Sequence, residues 1–315
     1  MRVALAAGAP AGYGAGMEPL NELRTLISRH AGDGLTATAL PSLVLMAVDA
    51  PTEPVHHVYE PALAIVAQGA KQSVLGERLI DYRAGQYLVV SIDLPMIGYV
   101  TEASATAPFL ALGLKLKPAA IATLLLETAT ERTVVESVGI GVSDAPDELL
   151  DPVVRLVRLL DRPEDVAVLA PMIEREILWR LLSGEQGAMV RQIGLADSRL
   201  SQISYAIRWI RSHYAETFRI EDLAQLAAMS VSSFHRHFRS VTEMSPLQYQ
   251  KRVRLQEARA RLLAESADVA AVGFGVGYDS PSQFSREYSR LFGVPPGRDV
   301  ARLKAGQAQQ TTSTI

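Results

Sequence analysis

Two sets of polar side chains near the C-terminal end of the chain occupy two copies of one sequence pattern, offset by 50 residues. The first set is Ser232, His235, Arg236 and Arg239, and the second is Ser282, Gln283, Arg286 and Arg290. Hydroxyl, imidazole and amide groups donate and accept hydrogen bonds on base edges, and arginine forms paired hydrogen bonds with guanine or phosphate. These side chains therefore predict contact with double-stranded DNA.

The pattern that carries them repeats apolar positions as well. Residues 222–246 and 272–296 agree at seven positions: Ser230/Ser280, Ser232/Ser282, Phe234/Phe284, Arg236/Arg286, Phe238/Tyr288, Val241/Leu291 and Pro246/Pro296. The aromatic and aliphatic positions fall at i, i+4 and i+7, which gives one apolar helix face, and the first serine of each copy is placed to cap the helix. A plain helical bundle explains each helix, but not a repeat that keeps both the apolar face and the arginine.

A shorter helical segment precedes each copy, EDLAQLAAM in the first and DVAAVGFGV in the second. Two helices joined by a tight turn form a helix-turn-helix unit, whose second helix enters the major groove. Between the units, SPLQYQKRVRLQEARARLL predicts a helix of about 18 residues, roughly 27 Å long. A rigid spacer of this size can hold two helices in successive major grooves, which lie about 34 Å apart.

The charge distribution along the chain agrees with a C-terminal region that binds DNA. The net charge is −3, but residues 1–200 are acidic, with 16 Lys and Arg against 24 Asp and Glu, whereas residues 201–300 carry 13 against 10. Twelve of those 13 cations are arginine, the side chain best suited to bidentate contact with phosphate or guanine. A solvated arginine-rich helix face would give the same composition, so the charge alone leaves nucleic acid as one of two readings.

Five segments follow from the change of texture along the chain. Residues 1–16 are rich in glycine and alanine and predict a disordered leader, with Met17 as an alternative start. Residues 17–118 contain a helical start and then six or more short apolar strands, including a hairpin at Gly76-Glu77, which predict a small barrel or sandwich. Residues 119–200 predict a helical linker and dimerisation segment, 201–302 an all-helical domain, and 303–315 a disordered tail.

Several polar residues of the strand segments are candidates for binding a small molecule. A barrel of this size can hold one small ligand or be filled by its own side chains. The candidates are Tyr59, Gln68, Lys71, Tyr87 and Tyr99. His56 and His57 are weaker candidates for a metal site, because adjacent strand residues point to opposite faces and cannot both ligate one ion. No metal or other cofactor is therefore predicted.

Other classes of protein are disfavoured by what the sequence lacks. The chain has no cysteine, so disulfides, thiolate metal sites and cysteine nucleophiles are excluded. No paired-carboxylate, catalytic-triad or phosphate-loop pattern rises above chance, so an enzyme is not predicted. No run of about 18 apolar residues suggests a membrane span, and a cytoplasmic protein is expected.

The C-terminal segments SVSSFHRHFRSVTEMSPLQYQKRVRLQEARARLL and VGYDSPSQFSREYSRLFGVPP resemble the AraC/XylS DNA-binding domain over about residues 203–300. VYEPALAIVAQGAK, YRAGQYLVVSIDLPMIG and LAPMIEREILWRLL resemble the cupin-type N-terminal domain of one AraC-family subgroup. The resemblance implies that Ser232, His235 and Arg236 read bases from the first unit. It implies the same role for Ser282, Gln283 and Arg286 in the second.

The resemblance also implies an α+β protein with an N-terminal cupin-like β-barrel, a helical linker and dimerisation segment, and a C-terminal all-α double helix-turn-helix domain. Its implied function is that of a promoter-binding activator that dimerises, responds to an unknown small molecule and contacts RNA polymerase. Two alternatives stay open: a cupin enzyme fused to a DNA-binding module, and a regulator that senses nothing and acts through its abundance.

Overall fold

The structure is a computed structural model that describes residues 18–128, 139–195, 198–264 and 268–312, with side chains of the last helix to residue 304. The predicted leader and Met17 lie outside these residues. The described chain begins with helix α1 (Pro19–His30), whose buried face of Leu23, Leu26 and Ile27 packs on the β-rich part that follows.

That part consists of two antiparallel sheets. The strands are β1 (Gly34–Ala37), β2 (Leu43–Val48), β3 (Val55–Tyr59), β4 (Ala62–Gln68), β5 (Ala70–Leu75), β6 (Arg78–Arg83), β7 (Gln86–Val90), β8 (Leu94–Glu102), β9 (Phe109–Lys115) and β10 (Ile140–Asp144). The larger sheet has the order β1-β2-β9-β4-β7-β10 and the smaller has the order β3-β8-β5-β6. Their buried side chains form one continuous core, as expected for two sheets packed face to face.

Local sequence explains several of these elements. The predicted hairpin at Gly76-Glu77 is confirmed, since β5 pairs with β6 on either side of it and Gly76 has a φ of 62°. Glycine reaches this left-handed backbone region without steric cost. In β6 only Ile80 and Tyr82 are buried, which is the alternation of a strand with one face in the core.

The sequence predicts a purely helical segment between the sheets and the C-terminal helices, but the structure also has a strand in it. Its helices are α2 (Pro118–Thr128), α3 (Asp147–Arg158), α4 (Pro163–Ser183) and α5 (Gly187–Gly194). Between α2 and α3, however, the strand β10 pairs with β7 and becomes the edge of the larger sheet. The prediction failed there because a five-residue strand whose partner is some 50 residues away leaves little local signal.

From residue 198 onward the described residues form seven helices: α6 (Arg199–Ser212), α7 (Ile220–Leu226), α8 (Val231–Thr242), α9 (Pro246–Ala264), α10 (Val269–Gly275), α11 (Pro281–Phe292) and α12 (Pro296–Thr312). Residues 303–312 thus continue α12 instead of forming the predicted disordered tail, since alanine, lysine and glutamine favour helix. The core around α8 is continuous with that of the sheets, whereas α10, α11 and the C-terminal half of α9 form a separate cluster.

Candidate nucleic-acid interface

Each copy of the repeat folds into two helices joined by a short turn, with α7 and α8 in the first unit and α10 and α11 in the second. Both predicted caps are confirmed. The side chain of Ser230 accepts a hydrogen bond from the Ser233 amide at 3.3 Å, and Ser280 accepts one from the Gln283 amide at 3.4 Å. A serine cap satisfies one of the free amides in the first turn and fixes where each second helix begins.

The apolar face of each second helix holds it against the rest of its unit. Phe234 and Phe238 of α8 are fully buried, and so are Phe284 and Tyr288 of α11. Truncating a buried aromatic side chain of this kind costs about 3–5 kcal/mol. The opposite face of each helix is therefore held toward solvent in a fixed orientation.

All eight predicted contact residues lie on this opposite face and are exposed: Ser232, His235, Arg236, Arg239, Ser282, Gln283, Arg286 and Arg290. Gln283 makes only a long 3.5 Å contact with Glu287. Within the described part of the chain, none of the four arginines has an ion pair or a side-chain hydrogen bond. These guanidinium groups are therefore free to bind an external anion or base.

Three arginines of α9, Arg254, Arg259 and Arg261, behave differently, because they form hydrogen bonds inside the protein. Arg254 donates hydrogen bonds to the carbonyl oxygens of Tyr214 at 2.5 Å and Gly277 at 2.8 Å. Tyr214 follows α6, whereas Gly277 lies in the turn of the second unit. Since one rigid guanidinium bridges both units, Arg254 fixes their relative orientation. At 19 residues, α9 is about 28 Å long.

A buried carboxylate holds the second unit together. Asp299 of α12 has no exposed surface and forms a bidentate ion pair with Arg259 of α9, with distances of 2.7 and 3.1 Å. It also accepts a hydrogen bond of 2.9 Å from the Tyr288 hydroxyl, and burial, followed by the charge of Asp299, raises the pKa of that phenol. Helices α9, α11 and α12 are thereby tied at one point.

The smaller sheet contacts the first unit through Asp93, which precedes β8. Its carboxylate pairs with Arg211 of α6 at 2.5 Å, and its carbonyl oxygen accepts a 2.9 Å hydrogen bond from the buried Tyr249 of α9. Helices α6 and α9, which both pack on the first unit, thus attach to a single residue of the β-rich part.

The same sheet contacts the second unit through His56 of β3. The imidazole packs edge-on against Phe292 of α11, with ring centroids 4.6 Å apart. Burial, followed by the charges of Arg259 and Arg252, lowers the pKa of His56 to about 4. The imidazole is therefore neutral at physiological pH, as its position beside two guanidinium groups requires.

Comparison with known proteins agrees with this arrangement. Residues 39–189 match the N-terminus of AraC-type transcriptional regulators, and residues 223–302 match a helix-turn-helix domain. The chain belongs to the AraC family of transcription regulators.

Two relatives and two structures illustrate the likeness. The chain is 29% identical over 154 residues to the transcriptional activator RhaS of Escherichia fergusonii, a match that covers 46% of this chain and 54% of RhaS. For RhaS of Escherichia coli O1:K1 it is 26% identical over 163 residues, covering 51% and 57%. The match thus spans little more than half the length of these curated relatives.

The likeness to solved structures extends further along the chain at lower identity. A structure of ToxT from Vibrio cholerae superposes with a TM-score of 0.55 at 8% identity, covering 82% of this chain and 98% of ToxT. A ToxT structure with bound unsaturated fatty acid gives 0.52 at 9% identity, covering 82% and 95%. The two-domain architecture predicted from the sequence is thereby confirmed.

Of the five residues predicted to bind an effector in this AraC-family chain, only Tyr59 and Lys71 lie together. Tyr59 lies at the end of β3, beside Lys71 and Gly98. Gln68 donates a 2.8 Å hydrogen bond to the Pro108 carbonyl oxygen beside a β-bulge. Tyr87 of the larger sheet lies near Gly184, at the end of α4. Tyr99 pairs with Gln72 in the smaller sheet.

The residues that sequence reasoning missed are those that join the parts of the molecule. Asp93, Arg211, Tyr249, Arg254 and Asp299 carry no periodic signal, and the partners named above lie between 11 and 156 positions away in the chain. Over the described ranges, no group of three or more potential ligands is placed to hold a metal ion. In the same ranges no helix is both long and apolar enough to span a bilayer.

Proposed function

We propose that this protein is a sequence-specific regulator of transcription that binds double-stranded promoter DNA through α8 and α11. The observation that carries the proposal is the exposure of Arg236 and Arg286 at equivalent positions on two capped helices, without internal partners. Direct base reading places such side chains in the major groove, where each bidentate arginine–guanine contact contributes about 1–3 kcal/mol of discrimination.

The relatives support activation as the direction of regulation. The RhaS proteins are transcriptional activators by name, and this supports activation, with RNA polymerase as a partner of the DNA-bound protein. Activity would then be cytoplasmic, where the promoter lies, and would require no catalytic step.

The proposal is tested by replacing one reading arginine at a time. Arg236→Ala and Arg286→Ala should each weaken specific binding by about 1–3 kcal/mol, roughly 5- to 150-fold, and should relax base preference in one half of the site only. Affinity and preference are measured with the full chain on a site selected from random DNA. Arg162→Ala is the matched control and should bind as the unaltered protein does, because Arg162 is exposed and lies at the start of α4, outside the DNA-binding helices.

Uniform loss of affinity on all sequences would show that these arginines contact phosphate instead of bases. Unaltered affinity in both variants would contradict the assignment of α8 and α11 as the reading helices. The fold should persist in each case, because the exposed guanidinium groups make no contact with the core.

We further propose that two copies of the chain associate through α4. Three large apolar side chains lie on one face of this helix and are exposed: Val168 by 66%, Met172 by 64% and Trp179 by 42%. Leu126 of the neighbouring α2 is 86% exposed. An exposed patch of this kind marks an association surface, and a second identical copy is the partner whose apolar face matches it.

Substituting charge into this face should separate the copies. Met172→Glu together with Trp179→Glu should weaken dimerisation at least 100-fold, because two carboxylates would be buried without partners. Light scattering coupled to size exclusion gives the mass. Leu35→Glu is the control, since this leucine is equally apolar and 71% exposed but lies on β1. A monomeric unaltered protein at micromolar concentration would overturn the dimer.

We also propose that the β-rich domain binds a small-molecule effector. Two packed β-sheets that carry polar side chains on their inner faces are a common setting for such ligands. The fatty acid held by ToxT supports a ligand-responsive protein of this architecture.

A further inference from the structure

Lys71 of β5 is a cation within the wall of the smaller sheet. It pairs across the strands with Tyr82 of β6 and Val100 of β8, both of which are buried. Since residues directly opposite in a sheet share a face, Lys71 lies on the face that contributes to the core. A charged group in such a position is costly unless something compensates it.

No protein carboxylate provides that compensation. Two other lysines of this domain are paired, Lys115 with Glu60 at 2.7 Å and Lys117 with Glu174 at 3.1 Å. Among the residues that the structure describes, no aspartate or glutamate lies within 4.0 Å of the Lys71 ammonium group. Within the described residues, Lys71 is therefore a sheltered positive charge without a carboxylate counter-ion.

The groups around this ammonium are hydrogen-bonding and neutral. The ring of Tyr59 lies 5.7 Å from Nζ of Lys71, and the hydroxyl groups of Tyr82 and Ser73 lie 3.3 Å apart. Burial alone would lower the pKa of Lys71, but the neighbouring oxygens of Tyr82 and Tyr59 outweigh it, and the net shift is upward. Lys71 is therefore charged at neutral pH.

Gly98 of β8 lets these groups approach one another closely. A Cβ atom at this position would lie 2.5 Å from the Tyr59 hydroxyl oxygen, 3.2 Å from Cε of Lys71 and 3.6 Å from Oγ of Ser73. Any side chain here would push these three residues apart. The absence of one allows an ammonium and two hydroxyl groups to converge on one point of the sheet.

We propose that Lys71, Tyr59, Tyr82 and Ser73 bind the carboxylate of an organic acid, which is the effector of this regulator. One ammonium and a few hydroxyl donors match a single negative charge, whereas a phosphate carries about −1.5 to −2 at neutral pH. Val100, which pairs with Lys71, and Met96 of the same strand are apolar, and we expect an acid with an apolar body. The inference rests on the proposed role of this domain in binding an effector.

The test uses the full chain and two acids, hexanoate and benzoate, each compared with its uncharged amide. Both acids should bind the unaltered protein and raise its melting temperature, and the amides should bind at least 10-fold more weakly. Lys71→Met should reduce acid affinity by about 10- to 100-fold, the usual range for loss of a charge-assisted hydrogen bond. Lys117→Met, a paired lysine of the same domain, should leave acid affinity unchanged.

A second measurement controls for folding. Lys71→Met should still melt cooperatively without acid, and neither acid should raise its melting temperature. If Lys71→Met fails to fold, Lys71→Gln and Gly98→Ala replace it, and both should lose acid binding.

Binding of neither acid to the unaltered protein, or equal binding to Lys71→Met, would overturn the proposed site. DNA binding by the same samples is measured in parallel. If the protein binds its selected DNA site but no acid, the effector site alone is wrong. If it binds acid but no DNA, the regulatory function is wrong and the site stands.

Discussion

Replacing Asp299 with alanine is expected to unfold the second helix-turn-helix unit while the first stays folded. Asp299 is fully buried and is the carboxylate partner of Arg259, whose side chain is itself only 12% exposed. Removing it leaves the Arg259 guanidinium and the Tyr288 hydroxyl without their acceptor. Breaking a buried ion pair in this way costs about 3–5 kcal/mol. A unit with a core of eight buried apolar side chains has little stability to spare.

Urea unfolding of the full chain, followed by circular dichroism, measures this loss. A separate transition at low urea should appear in Asp299→Ala, because the second unit has its own apolar cluster and can melt independently. Asp279→Ala is the matched control, since this aspartate is exposed and should change stability by less than about 0.5 kcal/mol. Unaltered unfolding of Asp299→Ala would show that packing of α12, and not its charge, holds the unit.

The spacing between the two halves of the DNA site should be as critical as the halves themselves. Inserting about five base pairs between them rotates one half by roughly half a turn. Because α9 and the Arg254 bridge fix the two units, both second helices can then dock only if the DNA bends or α9 melts. We expect a loss of at least 100-fold in affinity, close to the level of binding by one unit.

Inserting about ten base pairs is the informative control. The two halves then face the same side again but lie about 34 Å further apart, a distance that a rigid helix cannot span. Affinity should therefore stay low in a gel-shift or fluorescence titration. Recovery at ten would mean that the units are flexibly tethered, in which case Arg254→Ala should change nothing. If the units are rigid, Arg254→Ala should instead partly restore binding to the altered spacings.

The sequence predicts the two helix-turn-helix units well because their determinants are local. Within each unit, the capping serine (Ser230 or Ser280) and the apolar face of the helix that it caps (α8 or α11) lie within about a dozen residues. The hairpin at Gly76 is equally local, since a left-handed turn residue and two alternating strands suffice. Pairing between strands that are far apart in the chain gives no such local signal. The sequence therefore does not predict β10, which pairs with β7.

The effector residues show a different limit. Tyr59, Tyr87 and Tyr99 were chosen for their chemical type, but the face on which a strand residue lies depends on register and sheet membership. Gly98 and Val100 flank Tyr99, so Tyr99 points away from Lys71. The sequence suggests Lys71 as a candidate, but only the packed sheets show that no carboxylate lies beside its ammonium group. The link between Asp93 and Tyr249 likewise joins positions 156 residues apart.

The smaller sheet has a consequence for attempts to exchange domains between regulators of this kind. Within β3, His56 contacts the second helix-turn-helix unit, and Tyr59, three residues on, belongs to the proposed acid site. A chimera joined between α5 and α6 would keep the chain continuous. A DNA-binding domain taken from another regulator, without residues equivalent to Arg211, Tyr249 and Phe292, would however not form these contacts with the smaller sheet. Such a hybrid would bind its acid and its DNA as two unrelated events. Introducing those three side chains into the transplanted DNA-binding domain should couple acid binding to DNA binding again.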